Sequence, residues 1–294
     1  MDRLPAKNIN LQIIYESGQV FDWKYNPTAQ SFSGDILGDY ATIKYDNKRQ
    51  ELLFSGTTKE KIAKFFALGM DYEAILKAIK KADPKLYYDA KPYFGLRILR
   101  QDPWKMAVTF VCSQQNNIPR IKKMLETLRA KYGKAGAFPT AQTLSKATDA
   151  ELYGLSLGYR AKYINRLAKN VVNGNLDFKL LEKMPYEGAF AEVTAQYGIG
   201  EKVGDCMLLY GLGKTEAFPT DVWVRRAVER RYRKEIQEYK KCQNCKSKKI
   251  PNKIIRGFAR KKFGENAGYA QQLMFEVERN YENTDKKRKA IGVC

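Results

Sequence analysis

From about Tyr93 onward the apolar residues recur at helical spacing, run after run with turn residues between them, and this periodicity points to a domain of packed helices. The runs are Ile121 to Tyr132, Tyr159 to Val172, Tyr186 to Ala195, Val203 to Leu212, Val222 to Tyr232, Ile254 to Phe263 and Tyr269 to Tyr281. Ahead of them, Asp102-Pro103 reads as N-cap and first-turn residue of a buried helix ending at Cys112. Before Tyr93 the pattern differs. Leu11-Gln-Ile-Ile-Tyr15, Ala41-Thr-Ile-Lys-Tyr45 and Glu51-Leu-Leu-Phe54 read as strands, the last two forming a hairpin around Asp46-Asn-Lys-Arg49. Thr57 with Glu60 reads as a capping box before Ile62-Ala-Lys-Phe-Phe66, and Asp71 as the cap of a helix through Lys81. The expected fold class is α+β, with an N-terminal antiparallel β-sheet domain with flanking helices over residues 1–95 and a mostly α-helical domain over 96–294. In the second, a helical hairpin is expected at about 186–212, and a lysine-rich stretch at about 233–252 reads as an exposed loop or insert.

Charge narrows the partner. Over 294 residues, 53 Lys and Arg face 32 Asp and Glu, a formal charge of +21 that recurs along the chain instead of sitting in one tail. Solubility asks for a charge of roughly 2–8, so the excess points to a polyanion, most simply nucleic acid. Histidine is absent, which removes imidazole bases, His-built triads and His-ligated metals, and leaves lysine, carboxylate, cysteine or tyrosine for any chemistry. No run approaches 18 apolar residues, and Met1-Asp-Arg-Leu-Pro5 has no apolar signal core. A cytoplasmic, nucleoid-associated placement is expected in a prokaryote and a nuclear one in a eukaryote, with no membrane partner.

The chemistry concentrates in Tyr197-Gly-Ile-Gly200, between two amphipathic runs. Glycines at 198 and 200 let the backbone take left-handed angles and approach a phosphate, and the N–H groups opening the next helix add a favourable dipole end. An ordinary helix–helix turn with a glycine C-cap is the plain alternative. Lys202 stands near the positive end of that helix, where an added ammonium charge is disfavoured and the neutral amine that a nucleophile requires is relatively easier to reach. It is otherwise one surface lysine among many. Asp221, after Pro219-Thr220 and before Val222-Trp-Val, is an N-cap by sequence, and a carboxylate held so rigidly can also steady positive charge developing on a sugar ring.

Gly-x-Gly-x-Lys-x-x-Asp followed by Pro-x-Asp-Val resembles the helix-hairpin-helix superfamily of DNA glycosylases, specifically its 8-oxoguanine branch. The resemblance spans most of the chain: Ser17-Gly-Gln-Val-Phe-Asp-Trp23, Leu99-Arg-Gln-Asp-Pro103, Cys112-Ser-Gln-Gln-Asn-Asn-Ile-Pro-Arg120, Leu157-Gly-Tyr-Arg-Ala-Lys-Tyr163, the hairpin, and Gly268-Tyr-Ala-Gln-Gln-Leu-Met-Phe275. It implies that Lys202 attacks the anomeric carbon and forms a Schiff base while Asp221 supplies the carboxylate. It implies that the Gly18 carbonyl accepts the N7 hydrogen of 8-oxoguanine, Gln271 reads the Watson–Crick edge, and Phe275 and Cys206 sandwich the flipped base. The four-residue separations of Gln271 from Phe275 and of Lys202 from Cys206 put each pair on one helix face. Gly198 and Gly200 are implied to grip the backbone, and Asn116, Asn117, Arg120, Tyr159 and Arg160 to fill the hole and hold the orphaned cytosine, Tyr159 as the wedge. The chain departs from the family at Gln115, where an asparagine is usual, and at Trp223, where a histidine often follows Pro-x-Asp-Val.

The expected function is therefore a bifunctional glycosylase and AP lyase, acting as a monomer on duplex DNA with 8-oxoguanine opposite cytosine. A helix-hairpin-helix glycosylase for another damaged base would share Lys202 and Asp221. A non-catalytic DNA-binding protein would use the hairpin only as a clamp. The five cysteines, Cys112, Cys206, Cys242, Cys245 and Cys294, are odd in number, so no disulfide framework is expected. Cys242-x-x-Cys245 has no second pair and no histidine to complete four ligands. No metal and no cofactor are expected, and a redox or intermolecular role for the pair stays open.

Overall fold

The computed structural model describes residues 1–134 and 136–290, without the side chains of 282–290. Cys294 lies outside the described residues. The chain forms two compact units, the first built from residues 1–70 and 95–214 and the second from 71–94 and the chain from Thr215 onward. Helices are numbered in chain order across both. No helix of the described residues is long and apolar enough to cross a membrane.

The first unit opens with a fully antiparallel five-stranded sheet of β1 (Asp2–Pro5), β2 (Lys24–Asn26), β3 (Ser31–Ile36), β4 (Asp39–Asp46) and β5 (Glu51–Ser55), in the order β1-β5-β4-β3-β2. The expected hairpin is present, with Tyr45 opposite Leu52 and the Asp46 carboxylate accepting from the Lys48 and Arg49 amides at 2.9 and 3.1 Å. Phe32, Ile36, Ala41, Ile43, Leu52 and Phe54 fill one face, against which Trp23 stacks on Phe65 at 5.7 Å. Burial of these aliphatic and aromatic side chains stabilises this side of the unit.

Two local expectations are overturned here. Leu11–Tyr15 is not a strand but part of helix α1 (Leu11–Glu16): the Asn10 side chain caps it by accepting from the Ile13 amide at 3.1 Å, and Leu11 and Ile14, three apart, are the buried pair. The cap of α2 (Lys59–Phe65) is Thr58, whose hydroxyl accepts from the Lys61 amide at 3.3 Å. Thr57 instead donates its hydroxyl to Asp39 at 2.8 Å, so the expected Thr57–Glu60 capping box does not form.

The rest of this unit is helical. Asp102 caps α5 (Pro103–Cys112) as expected, with Lys105 N at 2.7 Å, and Trp104 through Cys112 are all buried. Asn117 caps α6 (Ile118–Tyr132); short α7 (Ala141–Lys146) and α8 (Asp149–Leu152) lead to α9 (Arg160–Val172), and α10 (Phe178–Lys183) to α11 (Tyr186–Thr194). Across the hairpin, α12 (Glu201–Cys206) continues into a π turn over Met207–Gly211, and Tyr186 donates to buried Asp205 at 2.5 Å, tying α11 to α12. A buried charge cluster ties sheet to helices: the Lys105 ammonium contacts Asp22 at 2.6 Å and Asp35 at 3.1 Å, and Arg129 contacts Asp22 at 2.9 Å. Burial works to raise the Asp22 carboxyl, but Lys105 and Arg129 overcome it and hold the group below its ordinary value.

The second unit packs α3 (Tyr72–Ala82), capped by Asp71 as expected, and α4 (Pro84–Asp89) with α13 (Val222–Arg231), α14 (Arg233–Cys242), α15 (Asn252–Phe263) and α16 (Ala267–Ala290). Asp83 caps α4 by accepting from the Leu86 amide at 2.8 Å and also accepts from the buried Tyr232 hydroxyl. The stretch 233–252 is not all exposed loop. Its first half is α14, held by fully buried Ile236 and by a 2.8 Å ion pair of Glu235 with Lys262.

Candidate active site

Lys202 lies in the first turn of α12, half-buried, with its ammonium 3.1 Å from the Ser113 hydroxyl and 5.2 Å from the centre of the Phe110 ring. Ser113 donates its own proton to the Phe110 carbonyl at 2.8 Å, so the hydroxyl oxygen presents a lone pair to Lys202. A lysine that is usually a mobile stem is thus seated on an aromatic face and pinned by one hydroxyl. Cys206, one turn further on, is buried.

The two hairpin glycines differ. Gly198 has φ +83° and lies so close to Tyr163 that a Cβ there would be 2.3 Å from the ring. Gly200 is not left-handed, contrary to expectation: it is extended at φ −85°, ψ 171°, as the N-cap of α12, and a Cβ there would meet nothing within 4 Å. The loop is thus clamped at Gly198 from behind and open at Gly200. The Gly198 carbonyl accepts from the Gln114 amide at 2.6 Å. Tyr163 stands edge-on to Tyr159 at 5.5 Å and to Tyr197 at 5.2 Å, and Arg166 covers Tyr197 at 4.1 Å. Tyr159 and Tyr197 are exposed, so a row of aromatic edges with a flanking arginine runs along the hairpin.

Between α5 and α6, Asn116 donates to the Cys112 carbonyl at 2.9 Å, and Asn117 spends its side-chain oxygen on the Arg120 amide at 3.0 Å. Asn117 and the Arg120 side chain are exposed. Gln115 takes φ +45°, a region where asparagine is enriched and glutamine is not. Arg160 is buried and turned inward, its guanidinium donating to the carbonyls of Gln114, Gln115 and Leu157 while lying 4.5 Å over the Tyr159 ring. In this state it braces the 114–115 turn from beneath. Burial pushes the neighbouring Cys112 thiol up to about 12, with Arg160 pulling weakly the other way, so Cys112 stays a thiol.

The segment carrying Gly18 reaches the same region. Phe21, three residues on, meets Phe110 edge-on at 6.2 Å, and Phe110 is the ring under Lys202. Gly18 itself has φ +76° with nothing within 4 Å of a notional Cβ. Among the described residues no hydrogen bond reaches the Gly18 carbonyl.

In the second unit, Asp221 is half-buried and caps α13, accepting from the Val224 amide at 2.9 Å. Trp223 lies 5.5 Å under the Arg226 guanidinium. On α16, Gln271 is buried and accepts from Gln272 at 3.3 Å, while half-buried Phe275, one turn later, carries the Arg279 guanidinium over its ring at 5.2 Å. Among the described residues no cluster of acidic and cysteine side chains has metal-holding geometry.

Two family descriptions match adjoining stretches of the chain: residues 3–106 match the N-terminal domain of 8-oxoguanine DNA glycosylases, and residues 108–252 match HhH-GPD superfamily base excision DNA repair proteins. A solved structure of MBOgg1 in complex with a low-affinity DNA ligand is 32% identical, with TM-score 0.81 over 93% of each chain. The chain belongs to the 8-oxoguanine DNA glycosylase branch of the HhH-GPD superfamily. The glycosylase is also 28% identical to the Clostridium acetobutylicum 8-oxoguanine glycosylase/lyase, solved in complex with duplex DNA containing cytosine opposite 8-oxoguanine, with TM-score 0.82 over 93% of each chain. Among curated proteins, the N-glycosylase/DNA lyase of Saccharomyces cerevisiae is 29% identical over 310 residues, covering 90% of this chain and 82% of that one.

Three residues of this glycosylase acquire importance only from the structure. Ser113 and Gln114 sit inside a motif that the sequence displays, yet their partners, Lys202 and the Gly198 carbonyl, are 89 and 84 residues away. Tyr163 is the ring that forces glycine at 198, and its position at the end of Tyr-Arg-Ala-Lys-Tyr was the only local signal.

Proposed function

We propose that the glycosylase removes 8-oxoguanine from duplex DNA and then nicks the strand, with Lys202 as nucleophile. The observation that carries this reading is the seating of the Lys202 ammonium on the Phe110 ring and the Ser113 hydroxyl at the head of α12, beside an open hairpin turn. Once a proton has left, the Lys202 Nζ attacks C1′ and the C1′–N9 bond breaks, its electron pair leaving with the base. Asp221 balances the charge that develops on the sugar as the base departs. Ring opening gives an imine between Nζ and C1′. Loss of a C2′ proton then expels the 3′ phosphate, and water releases the unsaturated aldehyde and regenerates the amine.

The remaining roles follow the family's pattern. The Gly18 carbonyl accepts the N7 hydrogen that guanine lacks, Gln271 takes the Watson–Crick edge, and Cys206 and Phe275 flank the base. Tyr159 wedges into the duplex, with Asn116, Asn117, Arg120 and Arg160 on the orphaned cytosine. Amides opening α12 at Gly200, and the turn at Gly198, take a backbone phosphate. The test is borohydride trapping on a duplex with one 8-oxoguanine opposite each of the four bases, native protein against Lys202→Gln. A covalent band needing both the lesion and Lys202 is expected, strongest opposite cytosine. Base release without trapping would refute the lysine mechanism, and binding without either would refute the enzyme.

A further inference from the structure

We infer that Gln19 is the positioning residue through which the protein distinguishes 8-oxoguanine from guanine. This inference rests on the reading that the Gly18 carbonyl accepts the N7 hydrogen. That carbonyl belongs to the Gly18–Gln19 peptide, and Gly18 at φ +76° has no side chain to hold it in place. What holds the peptide is Gln19, which has no exposed surface.

The Gln19 side-chain amide donates to the Ser17 hydroxyl at 3.0 Å and to the Arg97 carbonyl at 3.0 Å, and its oxygen accepts from the Leu99 amide at 2.9 Å. Its backbone carbonyl accepts from the Gln101 side chain at 2.9 Å. Two side-chain amides, those of Gln19 and Gln101, thus tie Ser17 and Gln19, the residues on either side of Gly18, to the segment 97–101. Buried amides this fully satisfied have one orientation, since any rotation leaves several polar groups unpaired.

The segment 97–101 is in turn referenced to the nucleophile. The Gln101 backbone N–H donates to the Tyr210 carbonyl at 2.9 Å, the Tyr210 ring stacks on Phe110 at 5.3 Å, and Phe110 carries Lys202. Gln19 therefore sets where an acceptor stands relative to the attacking nitrogen. Guanine offers no N7 hydrogen, so an acceptor that cannot move away is left unpaired against it, and this is what makes rigidity a source of selectivity.

The experiment compares native protein with Gln19→Leu and, separately, Gln101→Leu, which removes only the bond onto the Gln19 carbonyl. Each is measured in single-turnover excision of 8-oxoguanine opposite cytosine and in borohydride trapping on an abasic duplex, which has no base to read. Excision is expected to fall about ten- to hundred-fold in Gln19→Leu and less in Gln101→Leu, as suits a displaced hydrogen-bond acceptor. Abasic trapping is expected to stay within about twofold. Equal losses on both substrates would overturn the inference by making Gln19 a support of the fold alone, and so would unchanged excision. If native protein traps abasic DNA but does not prefer 8-oxoguanine to guanine, the Gly18 reading fails and takes the inference with it, leaving the Lys202 chemistry standing.

Discussion

The two hairpin glycines make a paired test, because they look alike in sequence and stand in opposite surroundings. Gly198→Ala puts a Cβ at φ +83°, which costs about 1–2 kcal/mol for the left-handed backbone. That Cβ would also lie 2.3 to 2.5 Å from three atoms of the Tyr163 ring. The ring must move by about 1 Å to reach ordinary contact, against Tyr159 and Tyr197, which abut it edge-on, and such overpacking costs roughly 1–3 kcal/mol. A total of about 3 kcal/mol lowers the melting temperature by about 6–12 °C in a unit of this size. Gly200→Ala, in extended backbone with open space in front, costs under about 1 kcal/mol of stability. If that space belongs to a phosphate, though, its methyl stands where the phosphate would be. Affinity for duplex DNA then falls about tenfold, and the slope of log K against log salt becomes shallower by about 0.9, one phosphate's share. Melting curves and salt-titrated binding on both variants decide the matter. A Gly198→Ala protein melting within 1 °C of the native would refute the steric argument, and a Gly200→Ala protein with unchanged affinity and slope would refute the phosphate site.

Ser113→Ala removes the oxygen that accepts from Lys202. It is expected to slow Schiff-base formation about tenfold while leaving DNA affinity unchanged, read by single-turnover trapping; an unchanged rate would mean that the Phe110 face alone seats the lysine. Asp22→Asn breaks a buried cluster around Lys105 and Arg129 and should cost about 3 kcal/mol at neutral pH. Because the Asp22 carboxyl is lowered in the folded protein, its stabilisation is complete above pH of about 4 and is lost as pH falls through the folded value. The difference between variant and native, followed by urea melts, should therefore shrink on acidification, and a constant difference would refute the assignment. Gln115→Asn should stabilise by about 1 kcal/mol at φ +45°, measured by thermal melting with no DNA present.

What could be read from the chain alone follows from how local each cause is. The helices capped at Asp71, Asp102 and Asp221 were legible because cap and apolar period lie within a few residues of one another. Leu11–Tyr15 was misread for an equally local reason: Leu11, Ile13 and Tyr15 alternate, while Leu11 and Ile14 are three apart. The choice fell to the Asn10 cap and the pocket those two fill. In α14 the lysines drown the period, leaving Ile236 to show which face packs. The site divides in the same way. Lys202, Asp221 and the two glycines announce themselves through spacing and residue type, but nothing near them says that a serine 89 positions away pins the amine. Nor does anything say that one glycine answers to a tyrosine ring and the other to open solvent. Gln19 is the extreme case: four hydrogen bonds converge on it, and three run to residues at 97, 99 and 101. The residues proposed to react are thus written locally while their placement is written at long range. Variants at the long-range partners, rather than at Lys202 itself, are where selectivity should separate from bare chemistry.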